Sequence, residues 1–219
     1  MTDDGSHLSE DLVTQLQHQG WRVVVLRYYC TSGYGAKISD TDSIGFDAAN
    51  LVTLTGDDED TIRQQLEFIT THYGPIGAFI HIHPPLAPLA ESTVTFDAYS
   101  ESVLRQVFLT AKYLQPVLTT AVQPLVPGTR ACFMTVTQTD GGFGLRGERD
   151  IDVIAGGLSG LTKTLALEWP TVFCRAVDVS PEININAVPY ILSELSDPNR
   201  RILEVGWNKM GRWTPEVRL

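Results

Sequence analysis

The sequence of 219 residues predicts an α/β fold, one parallel, doubly wound sheet with helices on both faces. Three observations predict it. Stretches of helical periodicity alternate with short apolar stretches along the whole chain. The runs VVVL, AFIHI and CFMTV are near-continuous in apolar residues, as strands covered on both faces are. The length suits one such domain and is enough to bury a sizeable core.

Taken in order, residues 6–19 place Leu8, Leu12, Val13 and Leu16 on one helical face, and Gly20 is a plausible stop. Residues 21–27 (WRVVVLR) read as a buried strand. Residues 29–49, rich in Gly, Ser, Thr and Asp, read as a loop, and 51–55 as a short strand. Residues 57–73 read as a helix whose acidic first turn suits the positive end of its dipole, with Ile62, Leu66 and Ile69 on one face. Residues 77–83 are a buried strand stopped by Pro84 and Pro85. Residues 97–114 form a helix through Leu104, Val107, Phe108, Ala111 and Leu114, and 130–137 the next strand.

A Gly-rich loop spans 140–147. The helix after it, residues 155–170 (AGGLSGLTKTLALEWP), repeats Leu158, Leu161, Leu165 and Leu167, with Ala155 and Ala166 as small fillers. Gly156, Gly157 and Gly160 are poor helix formers that let a helix lie close to a neighbour. Residues 173–179 are a buried strand, 187–196 a helix and 201–206 a last strand, after which the chain is polar. No internal repeat or linker interrupts the order, so 1–219 is read as a single domain. A doubly wound sheet also needs a strand ahead of its first helix, and no apolar run precedes residue 6. The expectation is a fold lacking its first strand, excised from a longer polypeptide just after it. The alternative is a natural start with a reduced sheet.

The formal net charge of −10, with no basic cluster, argues against nucleic acid and anionic membranes as partners. No apolar run is long enough for a membrane-spanning helix, and the polar start MTDDGSHLSEDL does not read as a secretory signal. Cys30, Cys132 and Cys174 are an odd count at wide spacing, and Cys132 and Cys174 sit in apolar runs as packing thiols. A cytoplasmic protein is expected.

A helix ending in LALEW, a short link and the strand FCRAVDV resemble the second half of a short-chain dehydrogenase/reductase, a Rossmann-like family. The resemblance implies a Gly-rich turn, Thr-Gly-x-x-x-Gly-x-Gly, whose backbone amides approach the cofactor pyrophosphate. The matching run starts at Thr2, and its three glycine places hold Asp3, His7 and Ser9. Aspartates at a helix N-terminus repel a phosphate, so Asp3 or Ser6 reads better as an N-cap. The resemblance also implies a Tyr acid, a Lys that lowers its pKa, a Ser that orients the carbonyl and an Asn relay. Those places hold Ile151, Ala155, Gln138 and, by approximate alignment, Val103. Thr137 and Thr139 flank Gln138 but cannot replace a missing acid, and Lys163 reads as a surface residue.

The family's Asn-Asn-Ala-Gly turn becomes His81-Ile82-His83-Pro84. His81 and His83 face one side of a strand and could hold zinc, but with no third ligand nearby a hydrogen-bonded pair is the plainer reading. Asp57, Asp58, Glu59 and Asp60 read as a capped helix start in preference to a metal site. Thr137, Asp178 and His83 can be assembled into a triad only on paper, since no nucleophile elbow is present.

The joint loss of these groups resembles the structural half of a split ketoreductase region in polyketide and polyunsaturated or glycolipid-type fatty acid synthases. The runs TDDGSHLSEDLVTQLQHQGWRVVVLR, YGPIGAFIHIHPP, LRQVFLTAKYLQP and FMTVTQTDGGFGL carry it, together with 155–181. It implies a pseudoenzyme with no cofactor of its own, no metal and no catalytic residue. NADPH is expected in an adjacent catalytic half, to which this chain docks as a pseudo-dimer, or else in its absence a homodimer forms. The implied interface lies on the helices 97–114 and 155–169, through Val103, Val107, Leu114, Gly156, Gly157 and Gly160, with Tyr113 beside them. Two alternatives stay open, a reductase using unconventional residues and a free-standing module that binds an acyl ligand in a reductase-like cleft.

Overall fold

Leu8, Leu12, Val13 and Leu16 form the buried stripe of the first helix, α1 (His7–His18). The Ser6 hydroxyl caps it by accepting from the Leu8 amide, and Gly20, at φ 88°, turns the chain out of it. The computed structural model describes residues 1–28, 50–85, 96–120, 130–147 and 153–216. The loop expected at 29–49, Cys30 and Ile151 lie outside the described residues.

Strands β1 (Val25–Arg27) and β2 (Leu51–Thr53) pair in parallel, with Val25 opposite Leu51. Next comes α2 (Glu59–Tyr73), capped by Asp58, whose carboxylate accepts from the Thr61 amide. Four parallel strands follow in spatial order: β3 (Ala78–Ile82), β4 (Cys132–Thr137), β5 (Phe173–Val179) and β6 (Glu204–Asn208). An antiparallel edge strand, β7 (Gly211–Trp213), ends the sheet. The crossovers are α3 (Ala98–Thr120), α4 (Val153–Glu168) and α5 (Ala187–Ser196), the last entered from a 3₁₀ turn at Pro181–Asn186.

Residues 1–3 run between β1 and β3. Thr2 bridges Leu26 in parallel, and its amide donates to the Ile80 carbonyl at 2.9 Å. This short extended segment lies where a doubly wound sheet places its first strand, so the spatial order is β2, β1, residues 1–3, β3, β4, β5, β6, β7.

The strand period of two sorts the core into two layers. On β4, Phe133 faces a cluster with Ile62, Val107, Leu114, Leu158 and Trp169. Its neighbours Cys132, Met134 and Val136 face a cluster with Leu12, Val177, Val188 and Ile191. Helices α2, α3 and α4 therefore cover one face, and α1 and α5 the other. Burial of each such Leu or Phe contributes about 1.5–3 kcal/mol. Burial also pushes the Cys132 and Cys174 thiols up to about 12, and both are free.

Several boundaries differ from expectation. The strand expected at 21–27 is reduced to Val25–Arg27, because residues 1–3 offer ladder partners only from Val24 onward. The last parallel strand is Glu204–Asn208, not 201–206. Helix α3 does not stop at Leu114 but continues through Pro116 to Thr120. Pro116 and Lys112 are both exposed, so the carbonyl left without its helical donor faces water. Strand β7 arises where the sequence offers no apolar pattern. Side chains hold it: Asn208 Oδ1 accepts from the Met210 amide and from Trp213 Nε1, and Arg212 pairs with Glu194 and Asp197. Glu194 is itself buried against Arg175, which is fully enclosed.

Candidate functional site

The C-terminal ends of β1, β3 and β4 converge with the N-termini of α1 and α4. In open α/β sheets this edge is where ligands bind.

Residues 3–9 form the turn into α1, and carboxylates fill it. Asp3 Oδ2 accepts from Arg27 Nη2 at 2.7 Å and Nε at 3.1 Å. Asp3 Oδ1 accepts from the Gly5 amide at 2.8 Å and from Ser9 Oγ at 3.1 Å. The Asp3 side chain is only 1% exposed and that of Arg27 15%. Asp4 Oδ1 accepts from the Ser6 amide and hydroxyl and from Ser9 Oγ. Asp4 Oδ2 accepts from Gln138 Nε2 at 2.9 Å, which joins the turn to the end of β4. Ser6, not Asp3, is the N-cap. His7 points outward beside Glu10, and Ser9 is fully buried.

The amides, hydroxyls and guanidinium that could receive a pyrophosphate are thus engaged by the chain's own carboxylates. The donors to Asp4, from Ser6, Ser9 and Gln138, are all neutral. Two like charges about 4 Å apart repel by roughly 4 kcal/mol at an effective dielectric of 20. The residues present do not fit a nicotinamide dinucleotide.

Beside the turn, Gln138 also donates to the His83 carbonyl at 3.0 Å. His81 Nδ1 lies 3.0 Å from Thr2 Oγ1, and its ring stacks on Tyr28 with centroids 5.7 Å apart. Burial first, and then His83, hold the His81 pKa well below its ordinary value, so the ring is neutral. Tyr28, whose hydroxyl bonds Thr110 Oγ1 at 2.8 Å, has its pKa raised by burial. Among the described residues, the buried atoms His81 Nε2 and Gln138 Oε1 have no hydrogen-bond partner. Among the described residues no three His, Cys, Asp or Glu side chains gather closely enough to hold a metal ion.

Ala155 is buried at the start of α4, and Val103 is buried within α3. Neither can exchange a proton. Lys163 is turned toward β6, with Nζ 2.9 Å from Glu204 Oε1. Of the paper triad, Thr137 and Asp178 do meet, at 2.9 Å. Asp178 is spent on structure, however. Its carboxylate also accepts from Thr139 N and Oγ1, Gly142 N and Phe143 N. Asp140 similarly collects the amides of Gly142, Gly144 and Arg146. Two buried carboxylates therefore fold the Gly-rich loop onto the sheet. The acidic group at the start of α2 is likewise engaged: Asp58 caps the helix, Asp57 accepts from Ser102, and Glu59 accepts from Lys112 and Tyr113.

Sequence reasoning missed Arg27, Tyr28 and Thr2. Arg27 carried a signal, a lone cation ending the VVVL run. Asp178 carried one too, a lone acid in a buried strand.

The expected interface needs correction on α3. Val103, Val107 and Leu114 belong to the chain's own core. They are not spare apolar positions, because α3 is covered by the sheet, α2 and α4 together. A large hydrophobic residue of α3 that is exposed is Phe108, at 54%. On α4, Gly157 meets Leu104, with two methyl carbons 3.0 Å from where a Cβ would stand, whereas Gly156 and Gly160 meet no neighbour among the described residues.

No protein-family model matches the chain. One subunit of a polyunsaturated fatty acid synthase of Thraustochytrium sp. is 33% identical over 112 residues, 48% of this chain. The chain spans about 4% of the length of that relative. Among solved structures, the putative carbonyl reductase Sniffer of Caenorhabditis elegans superposes with a TM-score of 0.61 at 14% identity, covering 90% of this chain and 89% of that one. A putative 3-oxoacyl-reductase from Bacillus thuringiensis gives 0.60 at 15% identity, with 94% of each chain covered. The 3-ketoacyl-(acyl-carrier-protein) reductase of Brucella melitensis, complexed with NADH, gives 0.59 at 16%, covering 82% of this chain and 73% of that one. The chain has the fold of the short-chain reductases, with its parallel central sheet.

Proposed function

We propose that this chain is a non-catalytic structural half of a ketoreductase region in a synthase of the polyketide or polyunsaturated fatty acid type. It steadies an adjacent NADPH-dependent catalytic half as a pseudo-dimer partner. The observation that carries the reading is the turn at residues 3–9, where Asp3 with Arg27 and Asp4 with Gln138 engage the phosphate-binding groups internally. The similarity to a synthase subunit, spanning 48% of the chain, favours that setting. The contact with the catalytic half uses the outward stripe of α3 and α4, through Phe108, Gly156 and Gly160, and Gly157 acts only inside the chain.

Two measurements test the reading. Calorimetric titration with NADPH should give no saturable heat, and a micromolar dissociation constant would contradict the proposal. Co-expression with the neighbouring reductase half should yield a stable complex that Phe108→Arg disrupts while circular dichroism stays unchanged. A second reading, an acyl-ligand module, is favoured by His81 Nε2 and Gln138 Oε1, which have no partner among the described residues. Under it, an acyl ligand with a carbonyl acceptor would bind in a His81-dependent manner, and the NADPH titration would again be silent.

A further inference from the structure

At the opposite end of the sheet from the turn lies an open groove of about 410 Å³ between the end of α4 and the segment entering β6. Val172, Phe173 and Cys174 line it from the core side and are nearly fully buried. Leu167 stands on its rim at 81% exposure, and Leu203 also lines it. Leu167 and the apolar hollow beside it are contiguous and offer an apolar contact surface.

Two guanidiniums flank the hollow, Arg200 and Arg201. The chain carries ten more acidic than basic groups. Most of the other described cations have a carboxylate partner: Arg27, Arg63, Arg105, Lys112, Lys163, Arg175, Lys209 and Arg212 all do. Among the described residues no carboxylate pairs with Arg200 or Arg201. Arg200 Nη2 is held by the Pro170 carbonyl at 3.1 Å, which keeps it over the groove. Arg130 adds positive charge nearby, close enough that Arg200 depresses the Arg130 pKa after burial does.

We infer that this groove docks an acidic segment of a partner polypeptide, one apolar side chain entering beside Leu167 and Leu203 while flanking carboxylates meet Arg200 and Arg201. Charge complementarity selects the occupant, because guanidiniums without a carboxylate partner among the described residues are the groups that pair bidentately with incoming carboxylates. An open groove matches a side chain carried on a segment better than a small molecule, which needs most of its surface enclosed. The docking stands on the groove's own chemistry and does not depend on whether the chain pairs with a reductase half.

The test uses fluorescein-labelled peptides and polarisation. Glu-Glu-Leu-Leu-Glu-Glu should bind saturably, and Lys-Lys-Leu-Leu-Lys-Lys and Glu-Glu-Gly-Gly-Glu-Glu at least ten-fold more weakly. The double variant Arg200→Glu/Arg201→Glu, on the exposed surface, should lose at least ten-fold affinity for the acidic peptide and gain affinity for the basic one. Equal binding of the acidic and basic peptides, no saturable binding of the acidic one, or indifference to the double variant would overturn the inference. Arg200-dependent binding of sodium decanoate without the peptide would also overturn it, in favour of a small amphiphile. So would a homodimer in sedimentation velocity that the double variant dissolves, since the occupant would then be a second copy.

Discussion

At the residue scale, the most informative contact is Asp3 with Arg27. Both side chains are nearly enclosed. Breaking such a pair from one side leaves a charge without compensation, and the loss is about 3 kcal/mol. Asp3→Ala should therefore lower the urea midpoint strongly, while Asp3→Asn/Arg27→Met should lose less than either single change. Equal losses in the double and single variants would mean that packing, not charge, sets the effect. Gly206 is the second such residue. A Cβ there would stand 2.0 Å from the Gly141 carbonyl oxygen, and that oxygen belongs to a loop fixed by two carboxylates. Gly206→Ala should cost about 3 kcal/mol, the upper end for overpacking. A thermal midpoint unchanged in that variant would show that the loop yields.

At the element scale, helix α4 separates two roles that its sequence cannot. Gly156, Gly157 and Gly160 each weaken a helix by about 1 kcal/mol against Ala. Among the described residues, Gly156 and Gly160 meet nothing within 4 Å, whereas Gly157 packs on Leu104. Gly156→Ala and Gly160→Ala should each stabilise the chain by about 1 kcal/mol in urea melts, and each should weaken the pseudo-dimer contact. Gly157→Ala should gain less, because the Leu104 methyls must shift. Improved stability with unchanged partner affinity would move the interface away from α4.

Helix α2 makes a separate prediction about pH. Hydrogen bonds from the Thr61 side chain and amide hold the Asp58 carboxyl below its ordinary 3.8. A carboxyl depressed in the folded state contributes fully above its unfolded pKa and loses its contribution as pH falls through the folded one. Asp58→Asn keeps an acceptor but has no proton to gain, so its urea midpoint should fall less than that of the parent between about pH 5 and pH 3. Parallel pH profiles would show that the cap carboxylate carries no charge-dependent stability.

At the scale of the whole molecule, the proposed function separates the reductase fold from the reductase chemistry. The sheet, its helices on both faces and the ligand edge are kept, while carboxylates fill the turn and Ala155 and Val103 carry no proton to exchange. Ile151→Tyr/Ala155→Lys should accordingly show no ketone-dependent NADPH oxidation, since positioning of cofactor and substrate is as necessary as the acid. Ala155 is buried, at 4% exposure, so a lysine introduced there should also make the variant melt earlier. Ketone-dependent turnover in a spectrophotometric assay would refute the proposed loss of catalysis.

The sequence by itself determined the class of fold, because hydrophobic periods of two and of about 3.6 are local properties of neighbouring residues. Strands β3, β4 and β5, helices α1, α2 and α5, and the absence of glycine at positions 3, 7 and 9 were all legible there. Only the tertiary structure decided what the substituted residues do. Asp4 meets Gln138 across 134 positions, and Asp178 meets Gly142 across 36. No local pattern encodes such partners. The same holds for β7, held by Asn208 and Arg212 and not by an apolar run, and for α3, where three apolar residues that read as spare are consumed by neighbours on several sides. The groove beside Arg200 and Arg201 likewise depends on α4 and the segment before β6 meeting at the sheet's end. Burial and charge pairing are properties of the assembled chain, and they set which groups are engaged and which are left to bind.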